Sequence, residues 1–225
     1  MSIQDNINNI KKVLKENITL IAVSKTRSLD EMEEAYNSGL RDFGENKVQE
    51  FTDKYEPFHK DVRWHIIGHL QTNKVKYIVG KVFLIQSLDS VRLLKEIEKQ
   101  YAKAGITANT LIEINIGREE NKTGLLLENL EELISEVEKC NNVKVSGIMT
   151  VIPIGNEDKC REYFKQVKNV FDSLAKRQFN NINMQYLSMG MTGDFKIAAD
   201  EGSNMVRIGE GIFGKRIYNN QKVNK

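Results

Sequence analysis

Apolar residues along this chain gather in short runs separated by amphipathic stretches. The runs fall at Thr19–Ser24, Asp42–Glu45, Trp64–Gly68, Phe83–Gln86, Thr110–Ile116, Lys144–Met149, Gln185–Ser188 and Met205–Ile208. Each is rich in Val, Ile, Leu or aromatic residues and is bounded by Gly, Asn, Ser or Thr, the pattern of a strand buried on both faces in a parallel sheet.

The intervening stretches have helical spacing. An opening amphipathic segment runs from about Ile3 to Asn17. Ser90 is placed to cap a helix with Leu94, Ile97 and Tyr101 on one face, and Gly105 to end it. Asn156 precedes Cys160, Phe164, Val167, Phe171 and Leu174 at helical intervals. Thr192 is placed to cap a short helix ending near Gly202. The only prolines, Pro57 and Pro153, fall in loops, and no linker or low-complexity tract divides the chain.

Eight strands, each followed by a helix, predict a single (β/α)₈ barrel with an extra N-terminal helix, one domain over residues 1–225. An open doubly wound sheet shares this alternation. In both, the C-terminal ends of the strands collect on one face, where ligands bind.

Composition narrows the class. A net charge of +2 argues against nucleic acid or an acidic membrane as partner. No apolar run approaches the ~20 residues of a bilayer span, and the N-terminus lacks the layout of a secretion signal. Two cysteines, Cys140 and Cys160, read as free thiols of a reducing compartment. A cytoplasmic protein is expected.

The candidate chemistry lies at the strand ends. Four apolar residues, Leu20 to Val23, lead into Ser24 and Lys25. An amine half withdrawn from water there is a candidate nucleophile toward a carbonyl compound. The seventh and eighth strands end in Ser188–Met189–Gly190–Met191–Thr192 and Arg207–Ile208–Gly209–Glu210–Gly211. Barrels often hold a phosphate in these loops, with Arg207 as a charged donor. The same glycines would also serve as plain tight turns, with Arg207 paired to a helix carboxylate. A phosphate site opposite Lys25 points to a phosphorylated aldehyde or ketone. His65, inside a strand, reads as a packed core histidine. His69, just past a strand end, suits either a ligand contact or a surface role, and His59 reads as solvated. No His, Cys or carboxylate set has metal-ligand spacing. Glu45 and Asp194 are nearby carboxylates with nothing to mark them as acids, and Met149, Met189 and Met191 read as core or pocket wall.

Several linked motifs carry a resemblance. Ala22–Val23–Ser24–Lys25–Thr26, the segment from Phe43 through Glu45, Asn46 and Lys47 to Glu50, and that from Trp64 through His65, Gly68, His69 and Gln71 to Lys74 resemble the pyridoxal phosphate homeostasis proteins. So do Ser146–Gly147–Ile148–Met149–Thr150, Leu187–Ser188–Met189–Gly190–Met191–Thr192, Val206–Arg207–Ile208–Gly209 and Ile212–Phe213–Gly214, in order from about residue 20 to 216. The resemblance implies a barrel like the N-terminal domain of alanine racemase, with pyridoxal 5′-phosphate (PLP) held as an imine on Lys25. It implies Asn46 beside the cofactor ring, with Ser188, Arg207 and the backbone of Gly209 and Glu210 at the phosphate. His69 and Met149 complete the expected cofactor-binding set. The family usually has a small hydroxyl residue where this chain has Glu210, so only the Glu210 backbone is expected to contribute.

Relatives that catalyse racemisation add a β-domain supplying a further acid/base residue. Here the sequence ends nine residues after Arg216, and neither Tyr36 nor Tyr218 is placed to substitute. The expectation is a monomeric PLP-holding protein that supplies apo-enzymes. The alternatives are a minimal amino-acid racemase or lyase, and a cofactor-free Schiff-base aldolase.

Overall fold

A computed structural model describes residues 1–215 of the chain. Helix α1 (Ile3–Val13) precedes β1 (Thr19–Val23), and thereafter strands and helices alternate. The order is α2 (Leu29–Asn37), β2 (Asp42–Glu45), α3 (Val48–Tyr55), β3 (Arg63–Ile66), β4 (Leu84–Leu88), α4 (Val91–Ala104) and β5 (Ala108–Ile114). It continues through α5 (Leu130–Val137), β6 (Val143–Thr150), α6 (Glu157–Ala175), β7 (Ile182–Ser188), α7 (Phe195–Asp200), β8 (Met205–Ile208) and α8 (Glu210–Phe213). A 3₁₀ turn, Thr72–Tyr77, links β3 to β4.

All eight strands pair in parallel with their sequence neighbours, and β8 returns to β1, so the sheet is a closed barrel rather than an open one. The helix boundaries follow local chemistry. Ser90 Oγ accepts from the Leu93 amide at the start of α4, and Gly105 ends that helix in the left-handed region at φ +66°. Asn156 caps α6 through the Lys159 amide. Ser2 with Asp5, and Ser28 with Glu31, form capping boxes on α1 and α2.

Two apolar layers hold the barrel. Outward-facing strand residues such as Ala22, Phe43, Trp64, Ile66 and Ile112 pack under the helices. Burial of each large side chain there contributes about 1.5–3 kcal/mol. Inside the barrel, Ile21, Leu84, Leu111, Met149 and Met205 form a smaller plug. Polar side chains share that interior: His65, Gln86, Ser188 and Arg207 are all buried. Their positions follow from two-residue alternation, since Ile21 lies beside Arg207, His65 beside Leu84, and Met149 beside Ser188. No helix among the described residues is long and apolar enough to cross a membrane.

Candidate functional site

Alternation places Ile21, Val23 and Lys25 on the inward face of β1 and just beyond it. Lys25 emerges, half-buried, at the C-terminal mouth of the barrel. Its loop is held in a costly conformation. Thr26 has φ +64°, in the left-handed region that a β-branched side chain rarely occupies. Its amide donates to Glu50 Oε2 on α3 at 2.6 Å. Arg27 reaches across to the opposite loop, donating to the carbonyls of Phe213 and Gly214 and stacking on the Phe213 ring. The lysine loop and the loop after β8 are thereby tied together.

Behind Lys25, outside the barrel wall, Lys54 Nζ of α3 donates to Glu45 Oε1 at 2.8 Å and to the Ser24 carbonyl at 2.8 Å. Ser24 Oγ donates to the same Glu45 oxygen at 2.7 Å. Burial pushes the Glu45 carboxyl above its usual range, against the pull of Lys54 and Ser24. Glu45 and Lys54 are thus committed to each other.

Lys25 opens into a cleft of about 330 Å³, lined also by Asn46, Ile67, Val151, Arg207, Gly209 and Glu210 and by the 191–193 loop. The floor is Arg207. Its Nη1 donates to Ser188 Oγ at 2.6 Å and its Nη2 to the Thr150 carbonyl at 2.7 Å. Burial pushes its pKa down to about 10, against the pull of Glu113 and Asp194, which leaves it cationic at neutral pH. No carboxylate lies within ion-pair distance of it among the described residues, so the alternative of a helix-carboxylate partner is ruled out.

The glycines divide into two kinds. A Cβ on Gly190 would approach Ala198 Cβ to 2.6 Å, and one on Gly211 would meet Ile208 at 2.8 Å, so packing demands glycine at both. At Gly193 a Cβ would meet nothing within 4 Å, and at Gly209 its nearest contact would be an ordinary 3.5 Å. Neither packing nor backbone angle requires glycine at these two cleft positions. Their bareness admits a ligand close to the main chain.

The loop after β7 differs from expectation in one detail. Thr192 does not cap α7. Asp194 occupies the N-cap position and accepts from the Met191 amide at 2.6 Å, while Thr192 Oγ1 accepts from the Gly211 amide at 3.1 Å. The hydroxyl ties this loop to the first turn of α8 instead of capping α7.

Of the residues singled out from the sequence, Lys25, Asn46, Arg207, Gly209 and Glu210 line this one cleft. Glu210 is exposed at the start of α8. Ser188 lies one layer below, fully buried against Arg207, and Met149 belongs to the barrel plug. His69 lines two neighbouring depressions, one of which also includes Asn46, and its Nδ1 lies 3.0 Å from Asp89 Oδ2. His65 is buried, bonded to Asp42 and Gln86. His59 is not merely solvated: it bonds Glu33 at 2.7 Å and stacks on Tyr36. Cys140 and Cys160 are free thiols, and Tyr218 lies outside the described residues. No group of three metal-ligating side chains occurs among the described residues. Sequence reasoning overlooked Ile67 and Val151 as cleft walls. Both lie one alternation step beyond an inward strand residue, His65 and Met149, and that signal could have found them.

The donor set suits a phosphorylated carbonyl compound such as PLP. It combines an amine, a cation with no counter-carboxylate, and bare backbone at Gly193 and Gly209. Asn46 Oδ1 is also buried at the cleft without a hydrogen bond among the described residues.

Comparison with known proteins agrees with this geometry. The family model described as alanine racemase, N-terminal domain, matches residues 1–217. The pyridoxal phosphate homeostasis protein of Aquifex aeolicus (strain VF5) is 47% identical over 201 residues, covering 88% of this chain and 87% of its own. PipY of Synechococcus elongatus PCC7942, solved with PLP bound, superposes with a TM-score of 0.84 at 28% identity, covering 95% of this chain and 100% of that one. Alanine racemase of Clostridium difficile 630, in complex with cycloserine, aligns with a TM-score of 0.75 at 16% identity, over 97% of this chain and 60% of its own. That last likeness is one of fold alone.

Proposed function

Since this chain belongs to the pyridoxal phosphate homeostasis proteins, on the barrel of the alanine racemase N-terminal domain family, we propose that it holds PLP as a Schiff base on Lys25 and supplies it within the cell. One observation carries the reading: an amine and a buried cation without a carboxylate partner face one cleft whose Gly193 and Gly209 are bare for no packing reason. The cofactor supplies an aldehyde for the amine and a dianionic phosphate for the cationic, amide-lined end.

The residues divide the work. Lys25 is the covalent tether, reversible because imines hydrolyse. Asn46 offers its unpartnered Oδ1 beside it. The Gly209 and Glu210 amides, at the first turn of α8, have no preceding helical carbonyls and suit an anion. Arg207 supplies positive charge from the floor. Ile67 and Val151 give the cleft an apolar wall that limits water.

Holding rather than turnover is supported by the ionisable groups at the cleft. Among the described residues that line it, these are Lys25, Arg207 and Glu210, and Glu210 is exposed. Efficient racemisation needs a second positioned proton donor beside the lysine. We further propose a single-domain cytoplasmic monomer that returns its vitamin B6 cofactor to apo-enzymes, with free thiols consistent with a reducing compartment.

Reconstitution tests this. The protein with PLP should show the visible absorption of a protonated imine, and Lys25→Ala should lose it. A wild-type protein that takes up no PLP defeats the reading. Deuterium exchange at Cα across a panel of amino acids decides between holder and enzyme: exchange well above that of free PLP means a minimal racemase or lyase.

A further inference from the structure

Three basic side chains beside the cleft lack a carboxylate partner. Lys47 stands at the N-cap of α3, Lys74 in the 3₁₀ turn after β3, and Arg92 in the first turn of α4. Lys47 and Arg92 are exposed and Lys74 is half-buried, and none of them forms an ion pair among the described residues. Lys99, Lys139, Lys159 and Lys168, by contrast, each meet a carboxylate three or four residues away.

Helix fields oppose these placements. A helix N-terminus is partially positive, so carboxylates stabilise its first turn and cations do not. Carboxylates occupy the first turns of α1, α2, α5 and α6. The first turn of α4 has none and carries Arg92 instead. In α3 the first-turn acid, Glu50, is drawn away to the Thr26 amide and lies 3.9 Å from Lys54. Helix stability gives no reason for Lys47 or Arg92, whereas an anionic partner does.

The three cations edge a trough. One depression, of about 570 Å³, lies between the loop after β3 and the start of α4, with Asn73 and Arg92 in its lining. A second, of about 290 Å³, is lined by Lys47, Gln49 and Lys74. His69 and Gln71 belong to both, and Asn46 joins the second to the cleft of Lys25. The one carboxylate in these linings, Asp89, is largely buried and bonded to His69 and to the Ser90 hydroxyl.

We propose that this trough is the docking surface for an acidic segment of the apo-enzyme that receives the cofactor. The depressions are larger than a lone phosphate fills, and the amides of Gln49, Gln71 and Asn73 offer both donors and acceptors to a peptide backbone. Nucleic acid fits less well. The net charge is only +2, and the exposed Tyr77 ring is already engaged by the ammoniums of Lys74 and Lys76, at 5.5 and 5.0 Å, instead of being free for a stacked base. Docking there steers the acceptor toward Lys25 and sets it beside the cleft. The inference rests on the reading that PLP is held in the cleft and supplied to apo-enzymes.

The apo-protein tests the surface by itself. A fluorescent peptide of Glu and Ala residues should bind it, read by anisotropy, and bind less as salt rises. The triple variant Lys47→Glu, Lys74→Glu, Arg92→Glu should lower that affinity about tenfold or more. Lys139→Glu, Lys159→Glu and Lys168→Glu together change the net charge equally and should leave binding near wild type. Equal loss in both triple variants, no binding by wild type, or tighter binding of a single-stranded RNA of equal length overturns the proposal. Arg92→Glu alone should raise the urea unfolding midpoint, since it replaces a cation with an anion in a first turn. A lowered midpoint would make Arg92 structural and remove a premise.

The loaded protein tests the handover. The first triple variant should keep the visible absorption of the imine and its wild-type rate of PLP loss to hydroxylamine. Transfer to a panel of apo-aminotransferases and apo-decarboxylases should slow about tenfold, the low end of electrostatic steering. Unchanged transfer across the panel means release through solution and overturns the proposal. If wild-type protein takes up no PLP, the functional reading falls, and the peptide measurement alone decides on the trough.

Discussion

Two buried charged systems flank the cleft, one on each side of the barrel wall, and they are built on opposite plans. Outside the wall, Lys54 and Glu45 neutralise each other at 2.8 Å, with Ser24 completing the set. Inside it, among the described residues, Arg207 bonds a hydroxyl and a backbone carbonyl. The outer pair is joined through Glu45 Oε1, and Glu45 Oε2 is buried without a partner among the described residues. The inner cation has bonds but no counter-charge in contact, and its attraction remains available to an anion in the cleft. On the proposed assignment, charge bonded but not cancelled separates the ligand-facing Arg207 from the structural Lys54–Glu45 pair.

The sharpest way to break this contrast is at Lys54. Lys54→Met strands the buried Glu45 carboxylate and should cost roughly 3–5 kcal/mol of stability, read as the shift in a urea unfolding transition. It should not remove the absorption of PLP bound to whatever remains folded. Arg207→Met should show the reverse: an unfolding midpoint near wild type and a loss of PLP retention. If Lys54→Met instead unfolds like wild type, the outer pair is not the structural element described.

Inside the barrel, Glu113 sharpens the same point. Burial pushes its carboxyl from 4.5 up to about 7, with Asp89 adding to the rise and the Thr123 hydroxyl opposing it. A carboxyl that holds its proton more tightly folded than unfolded stabilises fully at low pH and loses that contribution as pH rises from about 4.5 through 7. At about 1.4 kcal/mol per pKa unit, the fall is roughly 3 kcal/mol. Glu113→Gln should flatten this part of the stability profile between pH 5 and 8. An unchanged slope would mean that Glu113 is not the buried proton holder.

Smaller effects follow on either side of the cleft. The loss of retention in Arg207→Met should correspond to about 1.5–3 kcal/mol, the worth of a bond to a charged group, measured by dialysis of reconstituted protein. Thr26→Gly should relieve strain of about 1–3 kcal/mol. Glycine's greater unfolded-state freedom offsets about 0.5–1 kcal/mol of that. A modest rise in melting temperature is expected, with faster PLP loss because the Lys25 loop is less fixed. Slower loss would show that the left-handed Thr26 does not orient the amine.

Much of this architecture was legible in the apolar runs, because strands buried on both faces announce themselves by composition. The caps at Ser90 and Asn156 and the stop at Gly105 followed from local hydrogen bonding and left-handed backbone, which need no tertiary context. Thr192 does not cap α7, since its hydroxyl accepts from the Gly211 amide in α8, a pairing invisible to local pattern. Lys25, Asn46, Arg207, Gly209 and Glu210 shared a cleft because barrel topology alone gathers strand ends. His65, Gln86 and Asp42 were harder to connect. Their link depends on the register between β2, β3 and β4, which fixes which inward residues sit side by side and which leaves no periodic trace. Lys54 carries no mark in the sequence, and only the packing of α3 against the wall reveals its buried partner.

The seam between β1 and β8 has a consequence for how the protein is made. Lys25 follows the first strand, whereas Arg207 lies in the eighth and Gly209 follows it, and the two strands pair along Thr19–Ala22 and Met205–Ile208. During synthesis the amine emerges well before Arg207 and Gly209 are translated. Until the last strand docks, it is an ordinary solvated lysine with no anion site opposite it. On the proposed assignment, cofactor capture is a property of the completed ring, and uptake of the ligand reports that the barrel has closed.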